Sequence, residues 1–280
     1  MTIIDGKAVS LQIRSQIAKE AATLSFKPKL AVILVGNDPA SAVYVRNKQK
    51  ACIETGIEPL QITLPEETSE DELLALIDKL NSDDLVNGIL VQLPLPKTIS
   101  EKKVIERISP KKDVDAFTYE SVGKIVEGTY GFLPCTPAGI MELLKYYGID
   151  PEGKECVIVG RSNIVGKPMA LLLLNANGTV TVCHSKTKDL SSVTGRADIL
   201  VVAVGKPSFV TADMVKDGVT VIDVGINRLP DGKLCGDVDF DSVSKKASYI
   251  TPVPGGVGPM TITMLMKNTL TAAKRAEESK

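Results

Sequence analysis

Residues 155–174 read ECVIVGRSNIVGKPMALLLL, and the fold turns on how that run divides. Cys156 to Val159 is a short apolar block of the length of a buried strand, Gly160 and Gly166 bracket a turn, and Met169 to Leu174 continues as an apolar helix. Strand, glycine-bearing turn and helix make the unit on which open parallel sheets hold phosphate, because the first helical N–H groups are unpaired and glycine lets backbone approach closely. The spacing departs from G-x-G-x-x-G. Ser162 stands where the second glycine would be, and Gly166 comes one residue late. On pattern alone, a plain turn between strand and helix stays open.

The runs that follow support the phosphate reading. TVTVC (179–183), DILVVAVG (198–205) and TVIDVG (220–225) are spaced widely enough for crossover helices, which predicts a Rossmann-like parallel sheet. After TVTVC come His184, Ser185, Lys186 and Lys188, where a site for NAD offers an acid to the ribose hydroxyls. No acid stands there. Arg161 and Ser185 offer donors to an additional phosphate instead, which favours NADP, while Lys186 and Lys188 read better as a solvated loop. VIDVGINR (221–228) brings Ile226 to the edge where ligands collect in such sheets; its side chain suits a nicotinamide face and core packing equally.

Upstream, KLAVILVG (29–36) and GILVQLPLP (88–96) are strands set among helix-like segments, a second α/β arrangement. With 280 residues the chain suits two domains, drawn here as 1–120 and 121–280 on either side of the Gly- and Pro-containing GTYGFLPCTPAG (128–139). The last segment, from Pro259, reads as a closing helix over 260–280 that is able to pack back on the first domain. Lys plus Arg (33) nearly cancels Asp plus Glu (34), so no broad field points to nucleic acid or an anionic membrane. No apolar run approaches the ~18 residues of a membrane span, and the expectation is a soluble, cytoplasmic protein. Five dispersed cysteines read as free thiols in a reducing compartment, and a single histidine, His184, argues against a zinc or iron site.

One helix carries a question. Asp38 suits an N-cap, Pro39 the first helical position and Gly56 the position past the end, so the helix is expected from about Pro39 to Thr55. At ~100° per residue Ala42, Val45, Cys52 and Ile53 form an apolar stripe, flanked by Tyr44, Lys48 and Thr55. Lys48 is the basic residue nearest that face. Either its stem snorkels along apolar surface with the amine in water, or the amine loses hydration and its pKa falls toward neutrality.

Taken in order, DPASAVYVRNKQKACIETGI (38–57), VQLPLP (91–96), KKDVDAF (111–117), GFLPCTPAG (131–139), VGRSNIVGKP (159–168), CHSKT (183–187), VIDVGIN (221–227) and TPVPGGVGPMT (251–261) resemble the bifunctional methylenetetrahydrofolate dehydrogenase/methenyltetrahydrofolate cyclohydrolase family over nearly the whole chain. The resemblance implies a folate cleft between two domains, NADP as cofactor, tetrahydrofolate one-carbon derivatives as substrates and a homodimer. It implies Lys48 as the principal catalytic residue with Tyr44 beside it, Gln92 positioning the lysine and Asp115 holding the pterin. It places Gly160, Arg161, Ser162, Ser185 and Ile226 on the nucleotide, and Pro254, Gly255 and Gly256 on the folate. For the last three a simple helix-entry turn is the alternative; for Gln92 it is a structural hydrogen bond; a loop aspartate capping a turn fits Asp113 better than Asp115. The chain departs from the family after DVD, where glycine, histidine and asparagine are common and Ala116, Thr118 and Ser121 stand here. A dehydrogenase without the hydrolytic step, a nucleotide-binding regulator and an unrelated NADP oxidoreductase are the competing readings. Tyr44, Lys48 and Gln92 weigh against the first two, and the third leaves the first domain unexplained.

Overall fold

The structure is a computed structural model that describes residues 1–36 and 39–279, and the side chains of all of these except 39–42. In chain order its elements are β1 (Thr2–Ile3), α1 (Gly6–Ala21), β2 (Lys29–Val35), α2 (Pro39–Glu54), β3 (Glu58–Leu64), α3 (Glu70–Ser82), β4 (Gly88–Val91), α4 (Glu101–Arg107), α5 (Tyr119–Glu127), α6 (Cys135–Tyr146), β5 (Glu155–Val159), α7 (Gly166–Asn175), β6 (Thr179–Cys183), α8 (Leu190–Thr194), β7 (Ile199–Val202), a 3-10 turn (Ala212–Met214), β8 (Thr220–Asp223), β9 (Asn227–Arg228), β10 (Leu234–Cys235), α9 (Phe240–Val243), β11 (Tyr249–Ile250) and α10 (Val257–Glu278). They form two compact units, one of Leu11–Cys135 with Ile262–Lys280 and one of Met1–Ser10 with Thr136–Thr261.

The first of these units is built on a parallel sheet of order β3-β2-β4. Leu30 to Val35 of central β2 are all buried, as a strand covered on both faces requires, whereas edge strand β3 alternates half-buried and exposed positions. Ala31, Ile33 and Val35 pack with Leu73, Ile77 and Leu80 of α3 and Val104 of α4. Each large side chain buried there contributes about 1.5–3 kcal/mol. Helix α3 is started by a capping box: Ser69 Oγ accepts from the Glu72 N–H, and Glu72 Oε2 accepts from the Ser69 N–H.

The other unit carries a six-stranded, wholly parallel sheet of order β1-β11-β8-β7-β5-β6, with the antiparallel pair β9-β10 beside it. Its core joins Val157, Val159, Leu200, Val202 and Val221 to Met214, Val219 and Val243. Between β5 and β6 the chain moves one way, and β7 returns to the opposite side of β5. The carboxyl ends of β5 and β7 therefore flank a topological switch point, the place where such sheets hold ligands. All five cysteines are free, four of them buried, and no helix among the described residues is long and apolar enough to cross a membrane.

Candidate active site

Helix α2 begins at the expected Pro39 and ends at Glu54, while the N-cap expected at Asp38 and the side chain of Ala42 lie outside the described residues. The apolar stripe needs one correction: Ile53 is 72% exposed. The buried positions are Val45, Ala51, Cys52 and Thr55, whose hydroxyl donates to the Ala51 carbonyl at 2.7 Å. At ~100° per residue the centre of that set falls on the side of Lys48 rather than of Ile53. The hydroxyl of Thr55, satisfied by the helix's own backbone, lets a polar residue join the packed face, and that rotates the face toward the lysine.

The lysine does not snorkel into open water. Its Nζ donates to Oε1 of Gln92 at 2.8 Å, and Nε2 of Gln92 donates to the Leu93 carbonyl at 2.7 Å, which fixes the orientation of the amide. Gln92 sits one residue past β4, its N–H still bonded to the Ile33 carbonyl of β2 at 2.8 Å. Amide and amine thus meet at the carboxyl ends of two neighbouring parallel strands, one bearing Gln92 and the other leading into α2. Burial pushes the Lys48 pKa below its ordinary 10.5, against the opposing pull of Asp115 and, less strongly, of Cys135 and Cys52. Tyr44, one turn earlier on the helix, is 41% exposed.

Asp115 lies in the segment that runs beside β4, where Asp113 bridges Ile89. Burial raises its carboxyl above the usual range and the Lys48 charge pulls it down; burial disfavours both charges and each is the other's chief counterweight. Cys135, at the start of α6, shares its one S–H between Asp115 Oδ1 and the Val114 carbonyl, each 3.5 Å from Sγ. Burial first, and then Asp115, hold that thiol well above its ordinary 9.0, so it stays a donor. Asp113 behaves as the capping aspartate: its carboxylate accepts from the N–H groups of Phe117 (3.2 Å) and Thr118 (2.9 Å) and from the Ser121 hydroxyl (2.7 Å). Thr118 in turn caps α5 and donates to Ser121 Oγ at 3.0 Å. Two of the three residues that depart from the family pattern therefore close a buried relay, and the third, Ala116, is buried with φ of 58°, a left-handed conformation that suits glycine better.

The nucleotide candidates follow the carboxyl ends of β5, β6 and β8 in the other unit. A side chain on Gly160 (φ 130°) would strike the Ala203 carbonyl at the end of β7, and one on Gly166 would strike the Gly160 carbonyl. The turn is closed by backbone against backbone. Ser162 Oγ accepts from the N–H groups of Val165 (3.1 Å) and Gly166 (3.3 Å) at the start of α7, which leaves its proton free to donate. Arg161 and Ser185 are exposed, as are Lys186 and Lys188. Ile226 is 46% exposed, beside Gly258, and is not a core residue.

Two aspartates that sequence reasoning passed over organise this edge. Asp237, fully buried, accepts from the N–H groups of Val204, Gly205 and Lys206 and from the Asn227 amide, at 2.6–2.9 Å. Asp223, ending β8, accepts from the N–H groups of Gly225, Asp237 and Val238 at 2.9 Å each. Burial pushes the Asp223 carboxyl up to about 6 despite those donors. The available signal was an acid inside the otherwise apolar TVID and another in CGDVD; the loops they tie together could not be read from local pattern.

Pro254, Gly255 and Gly256 lie in this second unit, apart in the chain from Lys48, Gln92 and Asp115. Gly255 has φ of 108°, its carbonyl accepts from the Lys7 N–H at 2.9 Å, and a side chain on Gly256 would strike the Pro252 carbonyl. Both glycines have a sufficient packing reason within their own turn, where α10 begins.

A sequence profile described as the tetrahydrofolate dehydrogenase/cyclohydrolase catalytic domain matches residues 4–115, and one described as the NAD(P)-binding domain of the same family matches residues 134–277. "Bifunctional protein FolD" of Agathobacter rectalis is 64% identical, over 98% of this chain and 99% of its own. The crystal structure of the bifunctional methylenetetrahydrofolate dehydrogenase/cyclohydrolase of Campylobacter jejuni superposes with a TM-score of 0.97 at 56% identity, covering 98% of this chain and 99% of that one. The Trypanosoma brucei methylenetetrahydrofolate dehydrogenase-cyclohydrolase, complexed with NADP cofactor and an inhibitor, gives a TM-score of 0.94 at 39% identity over 98% of both chains. With its two halves matched in order and relatives aligned from end to end, this chain belongs to the tetrahydrofolate dehydrogenase/cyclohydrolase family.

Proposed function

We propose that the protein oxidises 5,10-methylenetetrahydrofolate with NADP and hydrolyses the resulting 5,10-methenyltetrahydrofolate to 10-formyltetrahydrofolate. The observation that carries this reading is the Lys48 amine, held by Gln92 and kept below its ordinary pKa by burial, in a chain whose full-length relatives are named as bifunctional enzymes. We assign the folate chemistry to the unit of Leu11–Cys135 with Ile262–Lys280, which contains Tyr44, Lys48, Gln92 and Asp115, and nucleotide binding to the unit that contains Gly160, Arg161, Ser162, Ser185 and Ile226.

The residues fit an NADP molecule. Gly160 and Gly166 leave the two ends of the turn without side chains, the Ser162 hydroxyl has its proton free to donate, and Arg161 and Ser185 stand exposed with donors for the additional phosphate. Ile226 offers an apolar face for the nicotinamide. When bound, NADP supplies the acceptor for the hydride leaving the one-carbon bridge.

Loss of that hydride leaves a cation delocalised over two nitrogens, which demands apposition rather than a base. Hydrolysis is different. Water adds to the one-carbon centre and its oxygen loses both protons as the formyl carbonyl forms; the bond from carbon to N5 breaks, N5 gains one proton and the other is released to solvent. An amine with its pKa lowered by burial can take the first proton and return one at N5, and Gln92 keeps that amine aimed. Asp115 accepts a pair of pterin N–H donors in charge-assisted contacts, and Tyr44 flanks the ring. Pro254, Gly255 and Gly256 are proposed to border the folate, with Pro254 the exposed member of the three. Family likeness also favours a homodimer.

The test supplies methylenetetrahydrofolate and NADP and follows NADPH and the formyl product separately. Both should form. NADPH without enzyme-accelerated formyl product would reduce the protein to a dehydrogenase, and neither would remove the proposal.

A further inference from the structure

Asp115 and Cys135 reach each other from segments separated in the chain by the whole of α5, so local backbone geometry does not set their distance. A side chain of α10 does. Nδ2 of Asn268 donates to the Val114 carbonyl at 2.8 Å and to the Leu133 carbonyl at 2.9 Å, with Cys135 Sγ 3.7 Å away. Those two bonds use both hydrogens of the amide, and turning it over would set its oxygen against two carbonyls, so one orientation is allowed. The carbonyls belong to the residue before Asp115 and to the residue two before Cys135. The Val114 carbonyl also shares the Cys135 S–H with Asp115 Oδ1, so amide, carbonyl and thiol close on one point. The support is firm: Leu265 and Ala272, a turn to either side of Asn268, are buried, as are Val114 and Cys135.

Resting on the reading of Asp115 as the pterin-holding carboxylate, we propose that Asn268 is a positioning residue for the folate site: its amide staples the Asp115 segment to the Cys135 segment and so sets where the carboxylate stands for the pterin. It touches neither substrate nor cofactor. The Cys135 thiol, kept protonated, completes the arrangement by donating to Asp115 Oδ1, which leaves the remaining lone pairs of the carboxylate for the ring. A part-buried asparagine serving only stability would be expected to affect both substrates alike or neither.

The experiment measures KM for methylenetetrahydrofolate and for NADP in Asn268→Leu, Asn268→Ser, Asp115→Asn and the Asn268→Leu/Asp115→Asn double variant. Asn268→Leu removes both donors while keeping the branched side-chain shape and should raise the folate KM roughly tenfold while the NADP KM moves less than about twofold. Asn268→Ser, which keeps one donor, should fall between and carries the comparison should the leucine variant not fold. The double variant should lose little more folate affinity than Asp115→Asn alone, because the staple acts through that carboxylate. Unchanged folate KM in the Asn268 variants, equal rises in both KM values, or additive losses in the double variant would overturn the inference while leaving the Asp115 assignment intact. An unchanged folate KM in Asp115→Asn itself would overturn both.

Discussion

Nζ of Lys48, on α2, donates across 2.8 Å to Oε1 of Gln92, the residue that follows β4. One partner is an amine short of water and the other a neutral acceptor, so the bond directs the amine without supplying the negative charge that would restore its ordinary pKa. A carboxylate in that place would do so.

Gln92→Glu therefore separates orientation from charge. The added carboxylate should raise the lysine pKa, move the rising limb of the hydrolysis pH profile to higher pH and lower hydrolysis near neutrality by about a hundredfold. Hydride transfer, which needs no base, should change by less than about tenfold. The two rates, followed from pH 6 upward, check both statements.

Lys48 should also leave a mark on stability. Because burial lowers its pKa in the folded protein, its contribution is fully present above the ordinary 10.5 and is lost as pH falls through the folded value. Relative to Lys48→Met, the parent should gain stability as pH rises toward 10.5, by at most about 1.4 kcal/mol per pH unit between the folded value and 10.5. Thermal midpoints of the two proteins compared across that range test the sign; a parent that loses ground to the variant as pH rises would contradict it.

Ala116 holds a conformation that costs an L-residue about 1–2 kcal/mol, and glycine escapes that cost while giving up one buried methyl worth roughly 0.8 kcal/mol. Ala116→Gly should leave the urea midpoint unchanged or raise it. Ala273→Gly, at a buried position within α10, should lower it, through a loss of about 1 kcal/mol or more of stability. The pair is compared by denaturant titration.

Arg161 is exposed and directly follows Gly160 at the end of β5. Arg161→Ala should raise the KM for NADP about tenfold or more, as loss of a charge-assisted bond to phosphate predicts, and shift that for NAD by less than about twofold. Equal losses in steady-state kinetics would dissociate the guanidinium from the extra phosphate.

These residues also show what the sequence made legible. The runs KLAVILVG and ECVIVG announced β2 and β5 because central parallel strands are apolar on both faces, and Pro39 with Gly56 marked α2 to within a residue at each end. Ile53 was misplaced because periodicity ranks residues by apolarity, whereas Thr55 buries its hydroxyl against its own helix and turns the packed face toward Lys48. Asn268, Cys135 and Asp237 stayed hidden for another reason: each acts on chain segments far away in sequence, and no local pattern encodes such a bond. The left-handed Ala116 was invisible too, since alanine advertises no such conformation.

The lowered pKa of Lys48 is tested by carbon NMR titration of protein labelled at the lysine ε-carbon, with the Lys48 resonance identified by its loss in Lys48→Met. The Lys48 resonance should titrate clearly below 10.5 and be displaced upward in Gln92→Glu. A Lys48 resonance that titrates at or above 10.5 would contradict it.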